Sequence, residues 1–192
     1  MLRLGMRGFT LVELLVGISL VALLLALGLP SMSQYIQNNK ISSAAGNYYA
    51  GLQLARAEAI RRNVPVEFVL TNGTGVAAAP AVGGTNWIVR AVPLAPEPAE
   101  LIDQKVGLEG EGAATQAIAV NVTVSPGGFD GRIPFNGFGA APGSPYSIQI
   151  TNPVLGACAP GGPARCKSIN VNAGGQIIAC DPIAAPGDSR AC

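Results

Sequence analysis

Residues 9–29 form an apolar run that contains a single acid, Glu13, and follows a short basic leader, Met1-Leu-Arg-Leu-Gly-Met-Arg-Gly8. About 20 apolar residues suffice for a helix to span a bilayer. A helix that is apolar on every side belongs in lipid or in the core of something larger. The run therefore constrains the architecture more than any other segment, and the carboxylate within it is the anomaly. At the centre of a helix in lipid an acid costs about 2.5–3.5 kcal/mol on insertion scales, so an acid kept there marks a functional position.

Two plainer readings account for part of this. A secretory signal peptide has a basic start, an apolar core and a small-x-small cleavage site, which Ala26-Leu27-Gly28 would supply. The run is long for such a core, however, and Glu13 lies inside it. A simple membrane anchor explains the length but neither Glu13 nor the Gly8-Phe9 junction. The segment Arg7-Gly8-Phe9-Thr10-Leu11-Val12-Glu13-Leu14-Leu15-Val16 resembles the class III signal of type IV pilins and pseudopilins. The resemblance implies cleavage after Gly8 by a prepilin peptidase, N-methylation of the new terminal Phe9, and a role for Glu13 in filament assembly. Pro30 is similar to the proline that kinks many pilin helices.

The chain has 192 residues, enough for such an anchor and one domain of ordinary size. Its formal net charge is +1; losing Arg3 and Arg7 with the leader leaves 10 basic against 11 acidic residues. No global charge would draw the mature chain to nucleic acid or anionic lipid. Charged residues make up only 12% of the chain, so small and uncharged polar side chains must form much of the surface. That suits a protein packed among others.

Past Pro30, the residues Ile41, Ala45, Tyr48, Leu52, Ala55 and Ala59 recur at steps of four and three, one face of an amphipathic helix. Arg56, Arg61 and Arg62 lie mostly off that stripe and are expected to face solvent or a partner. Asn63 can close the helix, and Pro65 forbids its continuation. A helix from Phe9 to Arg62 would be roughly 80 Å long. Strands are expected at 66–70, 87–92, 120–124, 132–135 and 147–151, with a loose Ala- and Gly-rich loop at 73–84 and a Pro-rich loop at 91–100. In 120–124, Asn121 and Thr123 fall on the face opposite the valines. Segments 167–172 and 176–179 flank Ala173-Gly174-Gly175, a hairpin signal. The expected organisation is a leader at 1–8, a transmembrane helix at 9–29, its amphipathic periplasmic half at 30–63, and a β-rich globular domain with a cysteine-containing tail at 64–192. The fold class is α+β and pilin-like: one long N-terminal helix packed on an antiparallel sheet.

The globular part resembles the GspH/FimT type of minor pilin. The helix-to-strand segment Ala55-Arg-Ala-Glu-Ala-Ile-Arg-Arg-Asn-Val-Pro-Val66, the tryptophan of Asn86-Trp87-Ile88, the turn Ile133-Pro-Phe-Asn-Gly-Phe-Gly139 and the final hairpin from Lys167 to Cys180 carry that likeness. It implies a structural subunit of a type IV pilus or a type II secretion pseudopilus, and no cofactor. Its partners would be other pilin or pseudopilin subunits, the prepilin peptidase and the inner-membrane assembly platform. The chain would pass once through the bacterial inner membrane with its domain in the periplasm. Some members of the FimT branch bind DNA through a Gly-Arg-x-Arg motif in the final hairpin. The matching positions, Gly175-Gln176-Ile177-Ile178, lack both arginines, and phosphate binding depends on such cations. Arg165, Lys167 and Arg190 could form a small residual basic patch.

Enzymatic readings find no support. With no histidine, Ser-His-Asp and Cys-His sites are excluded. Gly73-Thr-Gly75 and Gly110-Glu-Gly112 read as turns, and the scattered acids lack the spacing of a calcium loop. Cys158, Cys166, Cys180 and Cys192 cluster at the end of the chain without a Cys-x-x-Cys pair, which in an exported domain reads as disulfides. Cys158–Cys166 with Cys180–Cys192 is favoured, because each bond closes a short Pro- and Gly-rich segment with few side chains to fold around. The rival set joins Cys166 to Cys180 across the hairpin and Cys158 to Cys192.

Overall fold

The computed structural model describes residues 10–92, 97–106, 119–124, 128–143, 145–185 and 187–192, without the side chains of 26–31 and 119–124. One helix, α1 (Leu11–Arg62), leads into eight strands. These are β1 (Val66–Thr71), β2 (Asn86–Ala91), β3 (Glu100–Lys105), β4 (Ala119–Val124), β5 (Arg132–Phe135), β6 (Tyr146–Thr151), β7 (Lys167–Val171) and β8 (Ile177–Cys180). The chain divides into two compact units, Met1–Ile36 and Gln37–Cys192.

In the smaller unit, every described large apolar side chain of α1 from Leu11 to Leu25 is more than half exposed. Ser19 hides its hydroxyl against the carbonyl of Leu15 at 2.8 Å, so it adds no open polar group to this stretch. Pro30 lies within α1 and does not end it. Among the described residues no helix is long and apolar enough to cross a membrane, and the described side chains of the run stop at Leu25.

In the larger unit, Ile41, Ala45, Tyr48, Leu52, Ala55 and Ala59 are all buried, joined by Ala44. The stripe packs into one cluster with Val66, Phe68 and Leu70 of β1, Trp87 and Val89 of β2, Ile133 and Phe135 of β5, and the inward residues of β6, β7 and β8. Gly51 sets the spacing. A Cβ there would stand 2.8 Å from the Phe68 ring and 3.1 Å from Trp87, so only a hydrogen lets both rings approach the helix. The Tyr48 hydroxyl donates to the carbonyl of Thr85 at 2.6 Å, and burial pushes its ionisation far above the usual tyrosine range. Asn63 closes the helix in the left-handed region at φ 53°, as an αL cap.

The strands form two antiparallel four-stranded sheets, ordered β3-β2-β1-β5 and β4-β6-β7-β8, where a single sheet is expected from the sequence. β3 is a further addition: Glu100-Leu-Ile-Asp-Gln-Lys105 is polar and half-exposed, an edge strand that pairs with β2 through a bulge at Val89 and Arg90. The loop at 73–84 is not loose. It brings Ala78 against Val69 and Ile88 on the outer face of β1 and β2, while Pro80 bridges Thr71. This explains why β1 is buried on both faces. The side chains of Asn121 and Thr123 lie outside the described residues.

Candidate assembly sites

The first candidate is the start of α1. Thr10 is its N-cap: the Thr10 hydroxyl accepts the Glu13 backbone N–H at 3.2 Å, and Glu13 Oε2 accepts the Thr10 N–H at 3.5 Å. The Leu14 N–H reaches the Thr10 carbonyl at 3.2 Å as the first helical bond. This is a capping box, in which two otherwise unpaired donors are satisfied reciprocally. The signal was in plain view as Thr10-Leu-Val-Glu13 ahead of an apolar run, yet the sequence reading gives Glu13 only an assembly role. The capping carboxylate is the one to which the pilin resemblance assigns that role. Gly8 and Phe9 lie outside the described residues.

The second candidate is the cationic end of α1. Arg61 and Arg62 both converge on Glu58, at 2.6 and 2.7 Å, and Arg62 also reaches Glu100 of β3 at 2.6 Å. These pairs tie the helix end to the edge strand. Arg56 departs from expectation. It is half-buried, with its Nε at the seam where α1 meets the 136–140 turn and the β7–β8 hairpin tip. A Cβ on Gly139 would run into Ile60 and one on Gly175 into the Gly139 carbonyl, so the two glycines let helix, turn and hairpin tip approach one another, with the Arg56 Nε 3.3 Å from either position. Hydrogen bonds from Arg61, then Arg62, pull the Glu58 carboxyl down to about 2. A lowered folded value means the stabilisation is complete above the usual range near 4.5 and disappears as pH falls towards about 2. Glu58→Gln is expected to flatten the acid limb of a melting-temperature profile across that window. An unchanged slope would exclude Glu58 as its source. Arg61 is 64% exposed, so its share should also weaken with added salt.

The third candidate is the hairpin and tail. Val171 stands opposite Ile177 and Ser168 opposite Cys180, with residues 172–176 as the turn. Gln176 is exposed, Ile178 is 46% exposed, and the Gln176 amide oxygen accepts from Asn172. Two of the three nearby cations are already paired: Lys167 with Asp181 and Arg190 with Asp188, both at 2.7 Å. The hairpin thus offers phosphate little free charge, and nothing favours the DNA-binding reading. The disulfides are Cys158–Cys166 and Cys180–Cys192, the local set. Register explains the choice, since Cys180 stands opposite Ser168, two residues from Cys166.

A model of the family described as Type II transport protein GspH matches residues 44–175. The chain belongs to the GspH family. A second model, the prokaryotic N-terminal methylation motif, matches residues 3–29 of this GspH-family chain. No curated protein sequence matches it. Among solved structures, the fold is similar to the type IV minor pilin FimU of Pseudomonas aeruginosa, in its P21 crystal form. The TM-score is 0.54 at 17% identity, over 80% of this chain and 97% of that one. It is also similar to the minor pseudopilin EpsH from the type 2 secretion system of Vibrio cholerae. There the TM-score is 0.51 at 12% identity, over 76% of this chain and 99% of that one.

Proposed function

We propose that the chain is a structural minor pilin or pseudopilin, not an enzyme, which passes from the inner membrane into a type IV pilus or type II secretion pseudopilus. The observation that carries this reading is the asymmetry of α1. From Ile41 to Ala59 its apolar stripe is buried under two sheets, whereas from Leu11 to Leu25 its apolar side chains stand open on every side. So large an exposed apolar surface requires a partner medium. Lipid supplies it before assembly, and the helices of neighbouring subunits supply it afterwards. On this reading residues 1–8 are the leader, 9–29 the membrane helix, 30–63 its periplasmic half and 64–192 the periplasmic domain.

The prepilin peptidase would cut after Gly8, Phe9 would be N-methylated, and Glu13 would face the Phe9 amine of an adjacent subunit. A carboxylate in apolar surroundings needs such a partner. Pairing it with the neighbour's terminal amine rewards one axial register over others. Mass spectrometry of the mature protein is expected to find N-methylated Phe9 as the first residue. An intact Met1, or a first residue at Leu29, would overturn the reading.

A further inference from the structure

Three hydrogen bonds tie the first two residues of the larger unit to chain that lies 115 to 127 positions later. The Gln37 amide oxygen accepts from Asn152 Nδ2 at 2.9 Å. Asn38 donates through Nδ2 to the carbonyl of Pro163 at 3.2 Å and accepts the Arg165 N–H on Oδ1 at 2.7 Å. Asn38 therefore spends both ends of its amide on one segment, and that segment is the loop closed by Cys158–Cys166. Asn152 is fully buried and Gln37 half-buried, so their bond is partly shielded, whereas the two Asn38 bonds lie at the surface.

The loop has little else to give it a shape. Pro160, Gly161, Gly162 and Pro163 form its bend. Its own main chain contributes three bonds, Ala159 to Ala164, Gly162 to Cys158 and Ala164 to Ala157, at 2.8 to 3.3 Å. Ala164 and Cys166 are its only fully buried side chains. A segment so poor in packing holds the Pro163 carbonyl and the Arg165 N–H one amide apart only if its ordering entropy is met another way. Covalent closure does this by restricting the open loop.

We propose that the Cys158–Cys166 loop is an oxidation-dependent clasp that holds α1 at Asn38, next to the Gln37–Asn152 bond made outside the loop. Closing it joins the two Sγ atoms, and two protons and two electrons pass to a disulfide-class oxidant. A thiol reductant returns them and opens the clasp. The second disulfide is an internal control. Cys180–Cys192 ties the tail to β8, where the Asp181 N–H meets the Arg190 carbonyl, and none of the three bonds to Gln37 and Asn38 involves it.

Hydrogen exchange on the full-length protein in detergent tests the clasp. The amides of Ile41 and Ser42 report on the helix at Gln37 and Asn38, four residues back. In reduced wild type and in Cys158→Ser/Cys166→Ser, these amides and that of Arg165 are expected to exchange on the order of tenfold faster, as when one or two hydrogen bonds are lost to local opening. Reoxidation of the wild type should restore them, and Cys180→Ser/Cys192→Ser should leave them within about twofold. Asn38→Leu keeps the disulfide and should accelerate Arg165 alike, so the test survives if the cysteine variant does not fold. Unchanged Ile41 and Ser42 amides after reduction, or an unchanged Arg165 amide in Asn38→Leu, would overturn the clasp. The readout needs no filament, so it stands apart from the filament-subunit reading.

Discussion

Glu13→Ala is expected to leave the full-length protein in the membrane and to remove it almost completely from sheared filaments. Membrane retention should hold or improve, because an acid leaves an apolar helix. Loss from filaments would follow from the missing carboxylate opposite the neighbouring Phe9 amine. The capping box complicates this variant, since Glu13 also accepts the Thr10 N–H at the helix start. Glu13→Gln separates the two roles, because a glutamine can serve a capping box without carrying charge. If the charge organises assembly, both variants are lost from filaments. If only the cap matters, Glu13→Gln should assemble as the wild type does. Equal recovery of Glu13→Ala and wild type in the sheared fraction would refute both.

Phe68→Ala should be the most damaging single change in the domain. The ring is fully buried, lies 5.5 Å from the Trp87 ring and 6.3 Å from that of Tyr48, and touches the helix at the Gly51 gap. Removing it leaves a cavity between helix and sheet that cannot collapse, with an expected loss of about 3–5 kcal/mol. Trp87 is the single tryptophan of the chain, so its fluorescence during denaturant unfolding reports the change directly. A loss below about 1 kcal/mol, the scale of a surface substitution, would mean that β1 does not pack under α1 as described.

The parts of this fold set by local chemistry were legible in the sequence. The stripe from Ile41 to Ala59 shows itself through spacing alone, and Asn63 followed by Pro65 marks the helix end. Most strands announce themselves as β-branched or aromatic runs, and the hairpin around Gly174 fixes β7 against β8. β3 escaped because Glu100, Asp103, Gln104 and Lys105 give it the composition of a loop; its strand character comes from pairing with β2. The partition into two sheets escaped for the same reason, since it rests on long-range pairing such as Phe135 opposite Val66. Arg56 is half-buried because the turn at Gly139 and the hairpin tip at Gly175 close up beside it, which no helical periodicity can anticipate. The capping box was legible and was overshadowed by the pilin resemblance at the same residue.

The order of the strands also bears on how the domain comes into being. One sheet draws on β1, β2, β3 and β5, the other on β4, β6, β7 and β8, so the chain crosses between them before either is finished. During synthesis the first sheet lacks an edge until β5 emerges, by which time β4 already waits for partners that are still to be made. The second stays incomplete until β8. Because non-local pairings must close loops before they gain contacts, such a chain acquires its structure late and slowly. A cut between β4 and β5 would release two pieces that each hold strands of both sheets. Neither piece is a domain, and each is the template the other lacks.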